Sequence, residues 1–195
     1  MTVQRICVFT GSSPGARVAY ADAAKVLAEE IVRRDFELVY GGANVGLMGV
    51  VADRVLELGG RAIGVIPESL VKWEVAHEHL TELHVVGSMH ERKALMADLS
   101  SGFVALPGGV GTLEETFEVL TWAQLGMHDK PCGLLNIEGY FDHLITFLNH
   151  SVAEKFLKQV HRDLLLVQTD AAALLDAFDR FVAPIVDKWV DRSQI

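Results

Sequence analysis

Positive charge is in short supply in this chain. Its 195 residues carry 17 Lys and Arg against 26 Asp and Glu, a formal charge of −9 with histidine neutral. That balance excludes an extended nucleic-acid or anionic-membrane surface, which needs a basic face. It leaves room for one small phosphate, which needs only a local cluster. Long apolar runs are missing as well. No segment reaches the roughly 18 apolar residues of a membrane span. Cysteine is scarce: Cys7 and Cys132 are the only two, each in an apolar strand-like run, and there is no CxxC. They read as buried free thiols in a reducing compartment, not as a disulfide framework. The opening Met1-Thr2-Val3-Gln4-Arg5 leads straight into a strand without a signal-peptide pattern. The expectation is a soluble, cytoplasmic protein with no nucleic-acid and no membrane partner.

Several catalytic signatures are absent too. There is no GxSxG elbow, no GxxxxGK[ST] phosphate loop and no HExxH. His77, His79, His84 and His90 form a loose group without the spacing of a metal site, so no metal is expected. The first glycine turn, Gly11-Ser12-Ser13-Pro14-Gly15, is not GxGxxG. The second strand ends in Tyr40-Gly41-Gly42, not in the acidic residue of a nicotinamide binder. No cofactor is expected.

What is present is alternation. Strand-like runs at 6–10, 37–40, 62–66, 83–86, 103–106, 132–135 and 164–168 alternate with helix-like stretches. Those stretches fall at 16–33, 46–58, 88–99, 112–126, 140–158 and 170–190, the last broken or kinked by Pro184. The 46–58 helix stops at Gly59-Gly60. The stretch 68–79 is less regular and reads as a mobile loop, with Trp73 a candidate for a base pocket. Such βαβ alternation implies an α/β fold: one Rossmann-like, doubly wound parallel sheet with helices on both faces, in a single domain over 1–195. Half of the residues are hydrophobic, 9 of them Phe and 3 Trp, enough for a sizeable core.

Three strand ends carry glycine or serine turns: Gly11-Ser12-Ser13, Gly41-Gly42 and Gly108-Gly109-Val110-Gly111. Ligands of open α/β sheets sit at the carboxyl ends of strands, so these turns line one crevice. The most informative is Leu106-Pro107-Gly108-Gly109-Val110-Gly111-Thr112-Leu113-Glu114-Glu115. Glycines let backbone N–H groups approach a ligand, and a helix N-terminus attracts anions. Two carboxylates beside a phosphate site point to another part of the same ligand, such as a sugar. A purely local account also exists: Thr112 as N-cap and Glu115 three residues on form a capping box. Leu113, Phe117 and Leu120 then mark the buried face, with Glu114, Glu118 and Thr121 on a neighbouring stripe.

The run Ser88-Met89-His90-Glu91-Arg92-Lys93 is a second constellation. Ser88 and Glu91 again fit a capping box. Arg92 and Lys93 fall near the start of the helix, where its dipole disfavours cations. A bound anion or a nearby carboxylate remedies that. Glu82, ahead of this helix, reads by itself as solvated.

Together, Pro107-Gly108-Gly109-Val110-Gly111-Thr112-Leu113-Glu114-Glu115 matches PGGxGTxxE, and Met89-His90-Glu91-Arg92-Lys93 matches MHxRK. The chain resembles the LOG ("Lonely guy") family of cytokinin riboside 5′-monophosphate phosphoribohydrolases. The likeness runs from Cys7-Val8-Phe9-Thr10-Gly11 to Leu120-Thr121-Trp122-Ala123-Gln124-Leu125-Gly126. The resemblance implies hydrolysis of the N-glycosidic bond of a nucleoside 5′-monophosphate, releasing the base and ribose 5-phosphate, by a homodimer or higher homo-oligomer. It implies ligand contacts at Glu82, Arg92, Lys93, Gly108, Gly109, Val110, Gly111, Thr112, Leu113, Glu114 and Thr121, with Arg92 and Glu115 as the catalytic pair. Ala43, Ser88 and Val110 depart from the family's usual residues, which bears on base preference.

In the mechanism expected from these residues, amides of Gly109 to Thr112, with the Thr112 hydroxyl and Ser13, hold the 5′-phosphate. Glu115 faces the ribose and its developing positive charge, or orients water. Arg92 offsets anionic charge. Glu114 and Glu82 bind hydroxyls or the base. A non-catalytic nucleotide-phosphate sensor is the alternative. The older description of such proteins as lysine decarboxylases fits poorly. A pyridoxal enzyme needs a Schiff-base lysine and a partner for the ring nitrogen, and Lys93 is the only lysine near the motifs.

Overall fold

The computed structural model describes residues 4–71 and 76–184. Short apolar runs between glycine turns form the strands. Longer stretches with helical apolar spacing form the helices between them. In chain order they are β1 (Arg5–Phe9), α1 (Val18–Arg33), β2 (Glu37–Tyr40), α2 (Gly46–Glu57), β3 (Ala62–Pro67), α3 (Glu68–Val71), β4 (Glu82–Val86) and α4 (Met89–Leu99). There follow β5 (Gly102–Ala105), α5 (Val110–Gln124), β6 (Cys132–Leu135), a 3-10 turn (Ile137–Gly139), α6 (Asp142–Ala153), α7 (Gln159–Arg162), β7 (Leu165–Gln168) and α8 (Ala171–Asp179).

All seven described strands are parallel, in the order β4-β3-β2-β1-β5-β6-β7. Side chains alternate across β1. Ile6 and Val8 join α1, α2 and α8 on one face, while Cys7 and Phe9 join Met96, Val119 and Leu148 on the other. The sheet is thus covered on both faces, the α/β architecture expected from the alternation.

The chain runs outward from β1 to β4, then returns to lay β5 on the other side of β1. The winding direction reverses between these strands, and the crevice of such a sheet opens there. The register Phe9↔Ala105 brings their carboxyl ends level. Gly11 N–H donates to the Pro107 carbonyl at 3.2 Å, as does the Thr10 hydroxyl. Leu47 N–H donates to the Gly11 carbonyl at 3.1 Å, tying in the start of α2.

Local departures from the sequence expectation have local causes. α5 begins at Val110 because extended Gly109 is its N-cap, and Thr112 is inside the first turn. The Thr112/Glu115 capping box does not form. The buried stripe of α5 is Thr112, Thr116, Val119 and Ala123, with Leu113, Phe117 and Leu120 half-buried at its edge. The Thr116 hydroxyl in the stripe is tolerated because its Oγ1 donates to the Thr112 carbonyl at 2.6 Å. At α4 the Ser88 hydroxyl does accept from Glu91 N–H, at 3.1 Å. The Glu91 carboxylate answers to Gly87 N–H rather than to Ser88.

The expected 140–158 helix is shorter, since left-handed Glu138 and Gly139 precede it and left-handed Lys155 follows it. α8 stops at Asp179, and residues 180–184 are not helical, so the expected 170–190 helix ends before Pro184; its positions 185–190 lie outside the described residues. The supposed loop 68–79 opens with the short α3. Its far end is strapped to the Gly42 turn by an Ala43–Ala76 bridge and by His77 N–H donating to the Gly42 carbonyl at 3.0 Å. Trp73 lies outside the described residues. No described helix is long and apolar enough to cross a membrane.

Candidate active site

The carboxyl ends of β1 and β5 open into a cavity of about 270 Å³. Its floor is Thr10-Gly11-Ser12, one wall is Gly109-Val110-Gly111-Thr112 with Glu114 and Glu115, and the opposite wall is Met48, Met89 and Arg92.

The wall formed by α5 is a helix start without a capping partner among the described residues. No side chain caps it and no acidic residue stands in its first turn. The first main-chain donor satisfied within it is Leu113 N–H, on the Gly109 carbonyl. The N–H groups of Val110, Gly111 and Thr112 precede that bond and face the positive end of the helix dipole. A methyl placed on Gly109 or Gly111 would meet no protein atom within 4 Å, so protein packing does not require glycine there. Open space over free amides at a helix start is the geometry of an anion cradle. Gly108 is different: a methyl there would strike the Thr112 hydroxyl and come within 2.8 Å of Gly11 N.

Arg92 and Glu115 face each other inside this cavity, with Arg92 Nη2 3.6 Å from Glu115 Oε1. Both side chains are nearly covered, at 9% and 13% exposure. Burial pushes the Glu115 carboxyl above its usual range. The Arg92 guanidinium draws it back, and Glu114 adds to the rise. Among the described residues, Arg92 Nε is buried without a hydrogen-bond partner. A guanidinium carries five donors, so this one has capacity for an anion or a polar ligand group. Behind it, Gly41 leaves the space the guanidinium occupies, since a methyl on Gly41 would overlap Nη2.

Lys93 points elsewhere. Its ammonium bonds Glu114 Oε1 at 2.6 Å and lies 3.0 Å from Glu118 Oε1. The Glu114 bond raises its pKa, so it stays protonated. The two cations that strain the start of α4 are therefore each answered by carboxylates of α5. A clamped ammonium is also the wrong state for a Schiff-base lysine, which must be neutral to attack a carbonyl.

The structure gathers Arg92, Gly109, Val110, Gly111, Thr112, Glu114 and Glu115 around one cavity. Ser13 and Gly108 line a neighbouring cavity behind the glycine turn. Leu113 is half-buried against the core. Thr121 is exposed and donates to the Phe117 carbonyl at 2.6 Å. Glu82 stands at the amino end of β4, with Oε1 2.9 Å from His84 Nε2. Sequence reasoning missed Thr10, Met48 and Met89 as lining residues and Gly41 as the space behind Arg92. A methionine in α2 carries no local signal of a cavity it reaches only after folding. Among the described residues, no group of three or more His, Cys, Asp and Glu side chains converges as metal ligands would.

Comparison with known proteins identifies the family. A family model described as "possible lysine decarboxylase" matches residues 48–178. A probable cytokinin riboside 5′-monophosphate phosphoribohydrolase of Oryza sativa subsp. japonica is 52% identical over 92% of this chain and 79% of its own. A cytokinin riboside 5′-monophosphate phosphoribohydrolase of Arabidopsis thaliana is 47% identical over 98% of this chain and 83% of its own. The chain belongs to the LOG family. Both family motifs, PGGxGTxxE and MHxRK, meet at the cavity described above. Among solved structures, molybdenum cofactor carrier proteins share the fold. That of Chlamydomonas reinhardtii has a TM-score of 0.70 at 22% identity, covering 92% of this chain and 98% of its own. A molybdenum cofactor binding protein of Rippkaea orientalis has a TM-score of 0.70 at 20% identity, with the same coverage.

Proposed function

We propose that this LOG-family protein hydrolyses the N-glycosidic bond of adenosine 5′-monophosphates, N6-modified ones included, releasing the free cytokinin or adenine and ribose 5-phosphate. The observation that carries this reading is the joining of two features in one cavity. An uncapped, glycine-lined helix start sits one helical turn from a buried carboxylate that faces an arginine. The amides of Gly109 to Thr112 bind the phosphate. This places the ribose over the first turn of α5, beside Glu115. Cleavage passes through an oxocarbenium-like state, in which positive charge grows on the sugar. A carboxylate already removed from water stabilises that charge without reorganising solvent. Glu115 supplies it or orients the attacking water. Arg92 balances the carboxylate and the phosphate, and the Met48 and Met89 side chains give the base an apolar wall.

The same reading takes residues 1–195 as one catalytic domain, acting in the cytoplasm as a homodimer or higher homo-oligomer. Two buried thiols, Cys7 and Cys132, support the compartment. Exposed Leu125, Met127, Phe147 and Phe156 support self-association, which analytical ultracentrifugation measures. Glu82, Lys93 and Thr121 line no part of the cavity formed by the single chain. Their ligand contacts remain part of the proposal through the family resemblance.

A panel of AMP, isopentenyl-AMP, GMP, CMP, adenosine and ATP tests the reading, with free base as readout. The monophosphates of adenine and its N6-derivatives are expected to release base, and adenosine to react far more slowly. Equal rates on adenosine and AMP refute the phosphate cradle. Tight AMP binding with no base released after long incubation identifies a sensor instead.

A further inference from the structure

Tyr140 lies outside both family motifs and outside the cavity that holds Arg92 and Glu115. Its hydroxyl nevertheless donates to the Gly108 carbonyl at 2.5 Å, across 32 residues of sequence. It lines a second cavity of about 280 Å³ with Ser13, Tyr20 and Leu47, on the far side of the Gly108-Gly109 turn.

We propose that Tyr140 is a positioning residue that aims the phosphate cradle, an inference that rests on the hydrolase reading above. The argument is geometric. In a trans peptide the C=O and the N–H point in opposite directions within one plane. Holding the Gly108 carbonyl toward Tyr140 turns the Gly109 N–H away from it, toward the cavity at the start of α5. A glycine pair has no side chains of its own to fix that plane, and glycine leaves the peptide free to swing. The effect of the plane does not stop at Gly109, because Gly108 packs against the Thr112 hydroxyl and Gly11 N.

Tyr140 is itself firmly placed. Left-handed Gly139 turns the chain into position. The Asn136 side chain accepts from Phe141 N–H at 2.7 Å and donates to Asp142 Oδ1 at 2.8 Å. The Tyr140 ring meets Tyr20 edge-on at 5.6 Å and Phe141 at 5.0 Å. All of these contacts survive replacement of tyrosine by phenylalanine. Only the hydroxyl is lost.

The test compares the wild type with Tyr140→Phe in three measurements: AMP hydrolysis, calorimetric binding of ribose 5-phosphate, and thermal unfolding. Losing one neutral hydrogen bond that orients the cradle raises the KM for AMP and the Kd of ribose 5-phosphate together, by about threefold to tenfold. The kcat stays within about twofold, because Glu115 and Arg92 are untouched. Unchanged KM and Kd overturn the proposal, as does a fall in kcat at constant KM. Wild-type protein that binds ribose 5-phosphate but releases no base from AMP defeats the hydrolase reading alone, and the two Kd values still decide the role of Tyr140. Wild-type protein that binds neither ligand overturns both.

Discussion

Gly41→Ala isolates the placement of Arg92 from its chemistry. Gly41 does not adopt a left-handed conformation, so the backbone accepts alanine. The added methyl would overlap Arg92 Nη2 and lie 3.3 Å from both Arg92 Cζ and Met48 Sδ. Non-bonded heavy atoms pack at about 3.5–4.0 Å, so the guanidinium must retreat by roughly 1 Å or more. It can do so, being the end of a long side chain, and the protein stays folded. The retreat disturbs the 3.6 Å approach to Glu115. Misplacement of about 1 Å at a catalytic group costs on the order of 10²-fold in rate, or about 2.7 kcal/mol in barrier. A second signature accompanies it. Arg92 holds the Glu115 pKa down against burial, so moving it away lets that pKa rise further. The ionised carboxylate is the working form, and the acid limb of kcat/KM therefore shifts to higher pH. The assay is AMP hydrolysis across pH, alongside thermal unfolding. A variant with wild-type kcat and an unmoved acid limb refutes the role given to Arg92 and the space that Gly41 leaves for it.

Three further outcomes follow from the same geometry. Glu115 has a pKa raised above its ordinary 4.5 in the folded protein, mainly by burial, so its ionisation costs folding stability as pH rises through that window. Glu115→Gln is then expected to lose about 10²–10³-fold in kcat while melting above the wild type near neutral pH. The difference in melting temperature should close below pH 4.5, where the carboxyl is protonated in both folded and unfolded states; a variant that melts lower at pH 7 contradicts this. Gly111→Ala adds a methyl that meets no protein atom and improves helix propensity by up to about 1 kcal/mol. The melting temperature should hold or rise while the KM for AMP increases about tenfold, and an unchanged KM would remove the cradle from that wall. Lys93→Met leaves Glu114 and Glu118 without their shared cation beside an anionic ligand. The KM for AMP should rise severalfold and fall back as added salt screens the carboxylates. A salt-independent KM would show that Lys93 serves packing alone.

The sheet and the open, glycine-lined start of α5 were legible in the sequence because both depend on local rules. Apolar runs with glycine at their ends mark strands and turns, and a glycine-rich helix start marks an anion site whatever the rest of the chain does. The α5 details were not legible for the same reason of scale. Thr112-Leu113-Glu114-Glu115 satisfies the capping-box pattern, yet the helix starts earlier because Gly109 adopts the extended N-cap conformation. That shift takes Thr112 off the cap and makes Thr112, Thr116, Val119 and Ala123 the inner stripe. Leucine spacing then misleads, because the Thr116 hydroxyl is satisfied within its own helix and loses its cost of burial. Gly41, Met48 and Tyr140 were invisible for a different reason. Their roles exist only across strands: Gly41 follows β2, Met48 is in α2, and Tyr140 follows β6, each far in sequence from what it serves. Folding thus does more than assemble the motifs. It places a side-chain-free glycine behind Arg92 and a hydroxyl behind Gly108, so that two segments with little intrinsic rigidity bring a cation, a carboxylate and amides to one cavity.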